Sequence, residues 1–229
     1  MNLYFTGIQA PPDQVVKSME TKGWCCRHMA FRQVVYLAAN LPSVDAGHGA
    51  WLITSPRAAR WLLDQNPQKT PPIAAVGQTT HDLLTGFPLV FSQDPPRDAA
   101  SLGERLQECF EAETRFLFIR GAAARDVLVE ALGENRLDIL TVYRTEKRTK
   151  IDTPYLGGMV YFQAPSTVWD FQEIYGRPPQ LVGVIGPATA DAVRKLGWRV
   201  HFQPSRPELP GLIFEMPGPE TFLKNSGHT

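Results

Sequence analysis

Blocks of apolar and mixed residues alternate along the chain. Short runs of small and branched apolar residues, such as "WLIT" at 51–54 and "IAAV" at 73–76, each precede a turn and a segment with apolar residues at helical spacing. Runs that are apolar at nearly every position are typical of strands in parallel sheets covered on both faces. The pattern therefore predicts an α/β protein, with parallel sheets flanked by helices and joined by right-handed crossovers.

The strand–helix unit occurs twice with the same spacing. Pro56 lies 21 residues before Gly77 (77 − 56), and Pro165 lies 21 residues before Gly186 (186 − 165). A single offset of 109 aligns both pairs and the strand-like and helix-like runs around them. A register that holds over four successive elements indicates an internal structural duplication. Each copy is predicted to run strand, turn, helix, strand, turn, helix.

A weaker match concerns the N-terminus. "LYFTG" at 3–7 resembles "LFIRG" at 117–121 at an offset of 114, and a predicted helix follows each of them. Because "LFIRG" follows the first copy of the repeat, we expect "LYFTG" to complete the second copy. One lobe would then be continuous in sequence, and the other would be assembled from two separate segments.

The duplication thus predicts two similar lobes with a cleft between them. The chain would pass between the lobes twice, which makes a two-stranded hinge, and the cleft would suit a ligand held on both sides. The expected division is a split lobe at 1–35 and 152–229, a continuous lobe at 42–145, and hinge strands at 36–41 and 146–151.

Charge and composition exclude several classes of partner. Lys and Arg together number 23, as do Asp and Glu, so no global field is expected to recruit nucleic acid. The start, "MNLYFTGIQAPP", does not resemble a signal peptide and no apolar run reaches membrane-spanning length, so we expect a cytoplasmic protein without a membrane partner. Cys25, Cys26 and Cys109 fit buried thiols better than a disulfide or zinc site, and the histidines show no metal-ligand spacing.

Candidate binding residues lie where predicted strands turn into helices. The turns at Gly77 and Gly186 would offer backbone N–H groups and the positive end of a helix dipole to carboxylate or phosphate oxygens. Ser55 and Ser166 occupy the other two turns, as helix caps or hydroxyl donors. Ordinary capping without a ligand is the alternative at each turn. The remaining members of the candidate set are Thr6, Thr79, Thr80, Arg120, Gly121 and Thr189.

Charged and aromatic residues extend this set. Arg57 and Arg120 stand at strand-to-helix turns and suit carboxylates, with a solvated surface position as the equal alternative. Tyr143 ends the strand-like run "ILTVY" and is expected to face the same opening, although packing is the commoner role for such a residue. His81 is expected on a helix surface. The chain has no GxGxxG after a strand, no GxxxxGK[ST] and no GxSxG around Ser55, which argues against nucleotide binding and hydrolase chemistry.

Five short motifs, taken in order, resemble the uroporphyrinogen-III synthase family. They are "LITSPRAA", "AAVGQTT", "FIRG", "TVYRT" and "VIGPATA", and the resemblance covers roughly residues 51–200. It implies a two-lobed, hinge-linked fold and the cyclisation of hydroxymethylbilane, with inversion of ring D and loss of water. The product would be uroporphyrinogen III, in tetrapyrrole (haem) biosynthesis. The resemblance implies a cofactor-independent lyase that controls its self-reactive substrate by positioning.

The resemblance also implies roles for individual residues. Tyr143, in the motif that matches "VYRT", would help the hydroxyl group of the substrate to depart through a hydrogen bond. Thr80 and Thr189 would face the substrate, with Ser55 on the same surface. The chain departs from the family pattern near Ile8, where an arginine is missing, and at Ala164, which stands where a serine is usual.

An alternative function remains open from the sequence. A non-catalytic two-lobed protein that binds a polyanionic metabolite would use the same fold, and the departures at Ile8 and Ala164 favour it, whereas Tyr143, Thr80 and Thr189 favour the enzyme. An unrelated sugar- or nucleotide-binding module rests on fold analogy alone. The expected partner is hydroxymethylbilane, bound by a monomer, and transient contact with the upstream deaminase is left open.

Overall fold

The computed structural model describes residues 1–224 and shows a mixed α/β protein. The chain divides into two compact units. The continuous unit is Val34–Thr145, and the split unit joins Met1–Gln33 to the chain from Glu146 onward. Each unit contains one sheet flanked by helices, so the predicted fold class is confirmed.

The elements are short, as expected for units of this size. The strands are β1 (Asn2–Phe5), β2 (Cys25–His28), β3 (Arg32–Tyr36), β4 (His48–Ile53), β5 (Ile73–Ala75), β6 (Arg115–Gly121), β7 (Leu137–Lys147), β8 (Met159–Phe162) and β9 (Leu181–Val184). The helices are α1 (Asp13–Thr21), α2 (Pro56–Asp64), α3 (Gln78–Leu83), α4 (Ala99–Cys109), α5 (Val127–Leu132), α6 (Pro165–Tyr175), α7 (Pro187–Lys195), α8 (Leu212–Glu215) and α9 (Pro219–Lys224). Short 3-10 turns lie at Glu134–Arg136 and Leu209–Gly211.

The continuous unit has a five-stranded sheet in the order β3-β7-β6-β4-β5. Successive residues of strand β4 in this sheet point to opposite faces. Trp51 and Ile53 pack with α2 in one apolar cluster, whereas Ala50 and Leu52 pack with α4 and α5 in another. The period of two seen in β4 is what a strand covered on both faces requires, and it explains why this run is apolar throughout.

The split unit has a four-stranded parallel sheet in the order β2-β1-β8-β9. Helices α6 and α7 cover one face through Val168, Phe171 and Val193. Helix α1 covers the other face through Val15 and Met19. The N-terminal strand thus lies at the centre of a sheet whose other strands come partly from the far end of the chain.

The pairing of strands confirms the duplication. In the continuous unit Trp51 of β4 lies opposite Ile73 of β5, and in the split unit Val160 of β8 lies opposite Val182 of β9. The offset of 109 relates each residue of the first pair to its counterpart in the second (160 − 51 and 182 − 73). The two copies therefore share their sheet register as well as their order of elements.

The weaker N-terminal match is wrong by one residue. Leu117 of β6 lies beside Trp51, and Tyr4 of β1 lies beside Val160, which gives an offset of 113 (117 − 4) instead of the predicted 114. The predicted register aligned the two glycines by letter. A shift of one residue moves every side chain to the opposite face of a sheet, so burial decides the pairing and the glycines do not.

The chain passes between the units within β3 and β7, which are neighbours in the five-stranded sheet. These strands begin and end earlier than the predicted hinge strands at 36–41 and 146–151, of which only the first residue or two are in strand conformation. Asp170 of α6, whose side chain is buried, accepts hydrogen bonds from Arg32 of β3 at 2.6 and 3.1 Å and lies 3.4 Å from Lys147 of β7. One carboxylate thereby fixes both strands to the split unit.

Some features were missed or predicted differently. Strand β2 and helix α4 were not predicted. The thiols are free, as expected, but Cys25 and Cys109 are exposed and not buried. Partial burial raises the pKa of the Cys26 thiol to about 12, with Glu20 and Cys25 adding to the effect. None of the helices within residues 1–224 combines the length and apolarity needed to cross a membrane.

Candidate active site

A pocket of about 590 Å³ opens at the carboxyl ends of β4, β6 and β7 in the continuous unit. The carboxyl ends of parallel strands are the usual place for ligands in α/β folds, because the loops that follow them diverge there. Four of the predicted site residues line this pocket together, namely Ser55, Arg57, Gly121 and Tyr143. The structure thus brings together residues from three separate sequence motifs.

Tyr143 is turned into the pocket by an irregularity in the sheet. Arg120 of β6 lies opposite Thr141 of β7, but the next residue, Gly121, lies opposite Tyr143, so β7 has one extra residue at this point. Register shifts of this kind change the direction of a side chain next to a site. A Cβ atom on Gly121 would lie 2.7 Å from Cε2 and 2.8 Å from the hydroxyl oxygen of Tyr143. Only glycine leaves room for the tyrosine ring here.

Ser55 joins this tyrosine to helix α2. It is the N-cap residue of α2, where its Oγ accepts a hydrogen bond from the backbone N–H of Ala58 at 3.2 Å. The same Oγ lies 3.1 Å from the hydroxyl oxygen of Tyr143. Pro56 follows as the first helical residue, a position that suits proline because an N–H there has no helical partner.

Positive charge surrounds the pocket. Arg57, Arg125 and Arg144 line it, together with a single carboxylate, Asp98. Within residues 1–224, Arg57 and Arg125 have no carboxylate partner. Among the described residues, the backbone N–H of Arg57 has no partner, whereas Ala58 and Ala59 bond to Ser55 and Pro56 has no N–H. These groups can bind the carboxylates of an anionic ligand.

Asp98 is the carboxylate at the rim of the pocket. It caps α4 and accepts a hydrogen bond from the backbone N–H of Ser101 at 2.8 Å, within a reciprocal capping box. This bond, with a further one from the Ser101 hydroxyl, lowers the pKa of the Asp98 carboxyl below its ordinary value. Asp98 is therefore charged at neutral pH, and its charge is directed to the helix end.

Arg120 does not line the pocket. Its guanidinium donates to Asp126 at 2.8 Å and lies over the ring of Phe118, and its side chain is only 13% exposed. Arg120 is therefore neither a solvated surface residue nor a pocket residue, which were the two alternatives left open for it. It holds the loop that follows β6 against the sheet.

The turn after β5 is built for the backbone more than for a ligand. Gly77 has a φ of 76°, which favours glycine, and its N–H donates to Pro96. Thr79 is exposed and Thr80 is buried. His81 is buried as well, contrary to the prediction, because its Nε2 lies 3.1 Å from the carbonyl oxygen of Ser92 and secures the loop that passes over α3.

The turn after β8 of the split unit, which corresponds to the turn after β4, is closed by hydrogen bonds. Thr6 is buried, and its Oγ1 accepts from the N–H of Gln163 at 3.0 Å and lies 3.1 Å from the hydroxyl of Thr167. The Gln163 side chain in turn accepts from the N–H of Gly7 at 2.6 Å. These bonds enclose the Thr6 hydroxyl, and its role as a substrate-binding residue stays a prediction.

The other predicted residues of the split unit lie near this closed turn. Ser166 is half-buried in the first turn of α6, and Thr189 is buried in the first turn of α7. Gly186 has extended backbone, and a Cβ atom there would lie 2.9 Å from Cβ of Pro207. Glycine is therefore required at this position because Pro207 approaches it closely. Pro207 also covers part of the 186–189 turn.

Sequence reasoning missed Arg125 and Asp98. Both lie in loops that precede helices, and neither belongs to the repeat, so no periodic signal distinguishes them. Asp98 had one local signal, a serine three residues later, which is the spacing of a capping box. Among the described residues, no group of three or more His, Cys, Asp or Glu side chains is placed to hold a metal ion.

Comparison with known proteins identifies the family. The family model "Uroporphyrinogen-III synthase HemD" matches residues 13–213, which is most of the chain. The chain belongs to the uroporphyrinogen-III synthase family. It is 26% identical over 168 residues to "Uroporphyrinogen-III synthase" of Schizosaccharomyces pombe, a match that covers 67% of this chain and 61% of the yeast protein. The chain therefore spans less than two thirds of that relative's length.

Two solved structures of uroporphyrinogen-III synthases share the fold. The enzyme from Helicobacter pylori superposes with a TM-score of 0.66 at 16% identity, covering 98% of this chain and 99% of that one. A mutant form of the enzyme from Thermus thermophilus gives a TM-score of 0.54 at 16% identity, with 98% and 99% covered. At such low identity the agreement concerns the fold alone. It supports the predicted fold class over nearly the whole of this chain.

The family match covers the pocket completely. All its lining residues, from Thr54 to Thr145, lie within the matched range, whereas Thr6 lies before its first residue, Asp13. Tyr143, the tyrosine of the "TVYRT" motif, lies at the pocket and within the matched range. The departure near Ile8 coincides with the closed turn of the split unit.

Proposed function

We propose that this protein is a uroporphyrinogen-III synthase that cyclises hydroxymethylbilane, with inversion of ring D and loss of water, to uroporphyrinogen III. The observation that carries the proposal is the open pocket of the continuous unit, which Tyr143 lines together with Arg57 and Arg125. Membership of the family supports the same reaction. Tyr143 would be the catalytic residue, and Ser55, Arg57, Arg125 and Gly121 would shape the site around it.

The substrate carries eight carboxylates, and the pocket offers groups that bind them. Arg57 supplies both a guanidinium and a backbone N–H at the start of α2, and Arg125 supplies a second guanidinium from the loop after β6. Charge-assisted bonds to these groups would hold one end of the tetrapyrrole without a single highly charged cavity. Thr79, Thr80, Ser166, Gly186 and Thr189 remain proposed substrate contacts, and their burial makes Thr80 and Thr189 the weaker ones.

The first chemical step is departure of the hydroxyl group. The electron-rich pyrrole nitrogen pushes electrons towards the hydroxymethyl carbon, the carbon–oxygen bond breaks, and the oxygen leaves as water after taking one proton. Tyr143 would donate a hydrogen bond, and then the proton, to that oxygen. The proton that the last pyrrole loses when the ring closes restores the balance, so the net reaction releases one water.

The second task is to direct the reactive azafulvene to the correct carbon of ring D. Without direction it closes to the uroporphyrinogen I isomer, and attack by the substituted carbon leads through a spiro intermediate to the III isomer. Holding the chain in a folded conformation removes the entropic advantage of direct closure. Carboxylate contacts at fixed positions, and not an additional acid or base, would supply this control.

A coupled assay tests the proposal. Hydroxymethylbilane would be generated in place by its deaminase, and the products would be oxidised and separated by isomer. Excess III isomer over the spontaneous I isomer is expected with this protein. If folded protein yields only the I isomer, the synthase proposal fails and a binding protein for a polyanionic metabolite takes its place. Transient contact with the deaminase remains a proposal that the instability of the substrate supports, and the cytoplasmic location and monomeric state remain proposals.

A further inference from the structure

We propose that Ser55 is a positioning residue that directs the phenolic hydrogen of Tyr143 into the pocket. The inference rests on the proposed function and deepens it, because it identifies what makes this tyrosine a proton donor to the substrate. It derives from the hydrogen-bond geometry at the start of α2, where one serine oxygen contacts both a helix N–H and the tyrosine.

The hydrogen bonds available to Ser55 leave its hydroxyl hydrogen free to be donated to Tyr143. A serine hydroxyl has one hydrogen and two lone pairs. One lone pair of the Ser55 oxygen accepts the N–H of Ala58, and the remaining contact of this oxygen within the described chain is the Tyr143 hydroxyl at 3.1 Å. If Ser55 donates to the tyrosine oxygen, its own hydrogen is satisfied and the tyrosine hydrogen is free to point at a ligand.

The tyrosine ring itself has little freedom. One face lies against the Cα of Gly121, where a Cβ atom would come within 2.7 Å of the ring. Tyr36 packs against it edge to face, with ring centroids 6.4 Å apart. With the ring held in this way, rotation about the carbon–oxygen bond is the freedom that remains, and the Ser55 hydrogen bond controls it.

The helix adds an electrostatic contribution. The Ala58 N–H belongs to the first turn of α2, where the unpaired amides carry partial positive charge. A chain of donors from Ala58 through Ser55 to the tyrosine oxygen polarises each successive bond. Negative charge that develops on the phenolic oxygen during proton donation is therefore stabilised by the helix end.

The other copy of the repeat argues against capping as the whole role of Ser55. Ala164 occupies the same position at the start of α6, and α6 forms without a side-chain cap, with Pro165 as its first residue. A helix of this repeat can therefore begin without the hydroxyl. The serine occurs in the copy that has a tyrosine within reach.

Kinetic analysis of three Ser55 variants tests the inference. Ser55→Thr keeps both cap and donor, Ser55→Ala removes both, and Ser55→Asp keeps the cap but can only accept, so it draws the tyrosine hydrogen away from the pocket. We expect near wild-type kcat for Ser55→Thr, a decrease of about tenfold for Ser55→Ala, and a larger decrease for Ser55→Asp. The added charge of Ser55→Asp would raise KM, so kcat at saturating substrate is the quantity to compare.

Two controls separate positioning from stability. Ala59→Gly weakens the same helix by an amount comparable to loss of a cap and should lower Tm without lowering kcat. In a Tyr143→Phe background, Ser55→Asp should have no further effect on kcat, because Ser55 acts through the tyrosine hydroxyl. The inference is overturned if Ser55→Ala retains full kcat. It is also overturned if Ser55→Asp lowers kcat by the same factor in the wild-type and Tyr143→Phe backgrounds. Failure of the wild-type protein to give the III isomer would instead refute the proposed function.

Discussion

The turns that follow β4 and β8 occupy the same place in the two copies of the repeat, yet they differ in what their side chains do. After β4, Ser55 and Tyr143 leave an open pocket, where Arg57 and Arg125 have no carboxylate partner in the described chain. After β8, Gln163, Thr6 and Thr167 bond to one another and close the corresponding space. A duplicated backbone can thus keep its register while the polar groups of one copy line an open pocket and those of the other bond to one another.

The paired glycines show the same divergence. Gly77 is needed for a positive φ, whereas Gly186 has extended backbone and is needed because Pro207 approaches it closely. One letter at equivalent positions therefore meets two different physical requirements. Sequence identity between copies does not by itself indicate a shared role in binding.

The largest expected effect is loss of the tyrosine hydroxyl from the open turn. Tyr143→Phe removes the proposed proton donor and should lower kcat about 100-fold, within the usual range for general acid catalysis. The ring packing against Gly121 is retained, so Tm should change little. Initial rates of III-isomer formation provide the measurement, and an unchanged kcat would place the acid elsewhere.

A matched pair of glycine substitutions compares the two turns directly. Gly121→Ala places a methyl group against the Tyr143 ring, and Gly7→Ala places one 2.8 Å from the Gln163 side chain. Each should lower the free energy of unfolding by about 1–3 kcal/mol through overpacking. Only Gly121→Ala should also lower kcat, since it displaces the tyrosine. Calorimetry would give the Tm of each variant. If both variants lose kcat equally for a similar decrease in Tm, a site confined to the open turn is contradicted.

Charge removal at the pocket should have a moderate effect on binding. Arg57→Gln removes a guanidinium that has no carboxylate partner in the part of the chain described, and KM should rise about tenfold, equivalent to about 1.4 kcal/mol. Arg60→Gln, on the exposed side of the same helix, is the control and should leave KM unchanged. Added salt should raise the KM of the wild type more than that of Arg57→Gln.

The smallest effect comes from giving the closed turn the cap that it lacks. Ala164→Ser would place a hydroxyl at the N-cap of α6 and should raise the free energy of unfolding by about 0.5–1 kcal/mol. Urea denaturation measures it directly. No gain would mean that the added hydroxyl does not accept a hydrogen bond from an N–H group of the first turn.

The sequence predicted the parts of the fold that depend on local pattern. Apolar runs, proline at the first helical position and the offset of 109 gave the repeat and its register. The 113-residue offset of β1 could not be read from letters, because pairing across a sheet is decided by burial on each face. Strand β2, "CCRH", was missed for a similar reason, since it is a polar edge strand with little apolar signal.

The site was predicted in part. Ser55, Arg57, Gly121 and Tyr143 lie at strand ends, and topology alone brings strand ends together. The hydrogen bonds that enclose the Thr6 hydroxyl could not be predicted, because they join residues about 160 positions apart and leave no local trace. Arg125 was missed because nothing distinguishes an arginine in a loop until its neighbours are known.

The split of one unit by the other has a consequence for the order of assembly. Strand β1 pairs with β8, whose residues lie 156 positions further along the chain (160 − 4 for Val160 and Tyr4), so during synthesis β1 must wait for most of the chain before its neighbour exists. Closing so long a loop is entropically costly and slows folding. Once β3 and β7 are paired, however, the intervening chain is already compact and its two ends are adjacent. Prior folding of the continuous unit would therefore shorten the effective loop. We expect a refolding intermediate in which the continuous unit alone is protected from hydrogen exchange.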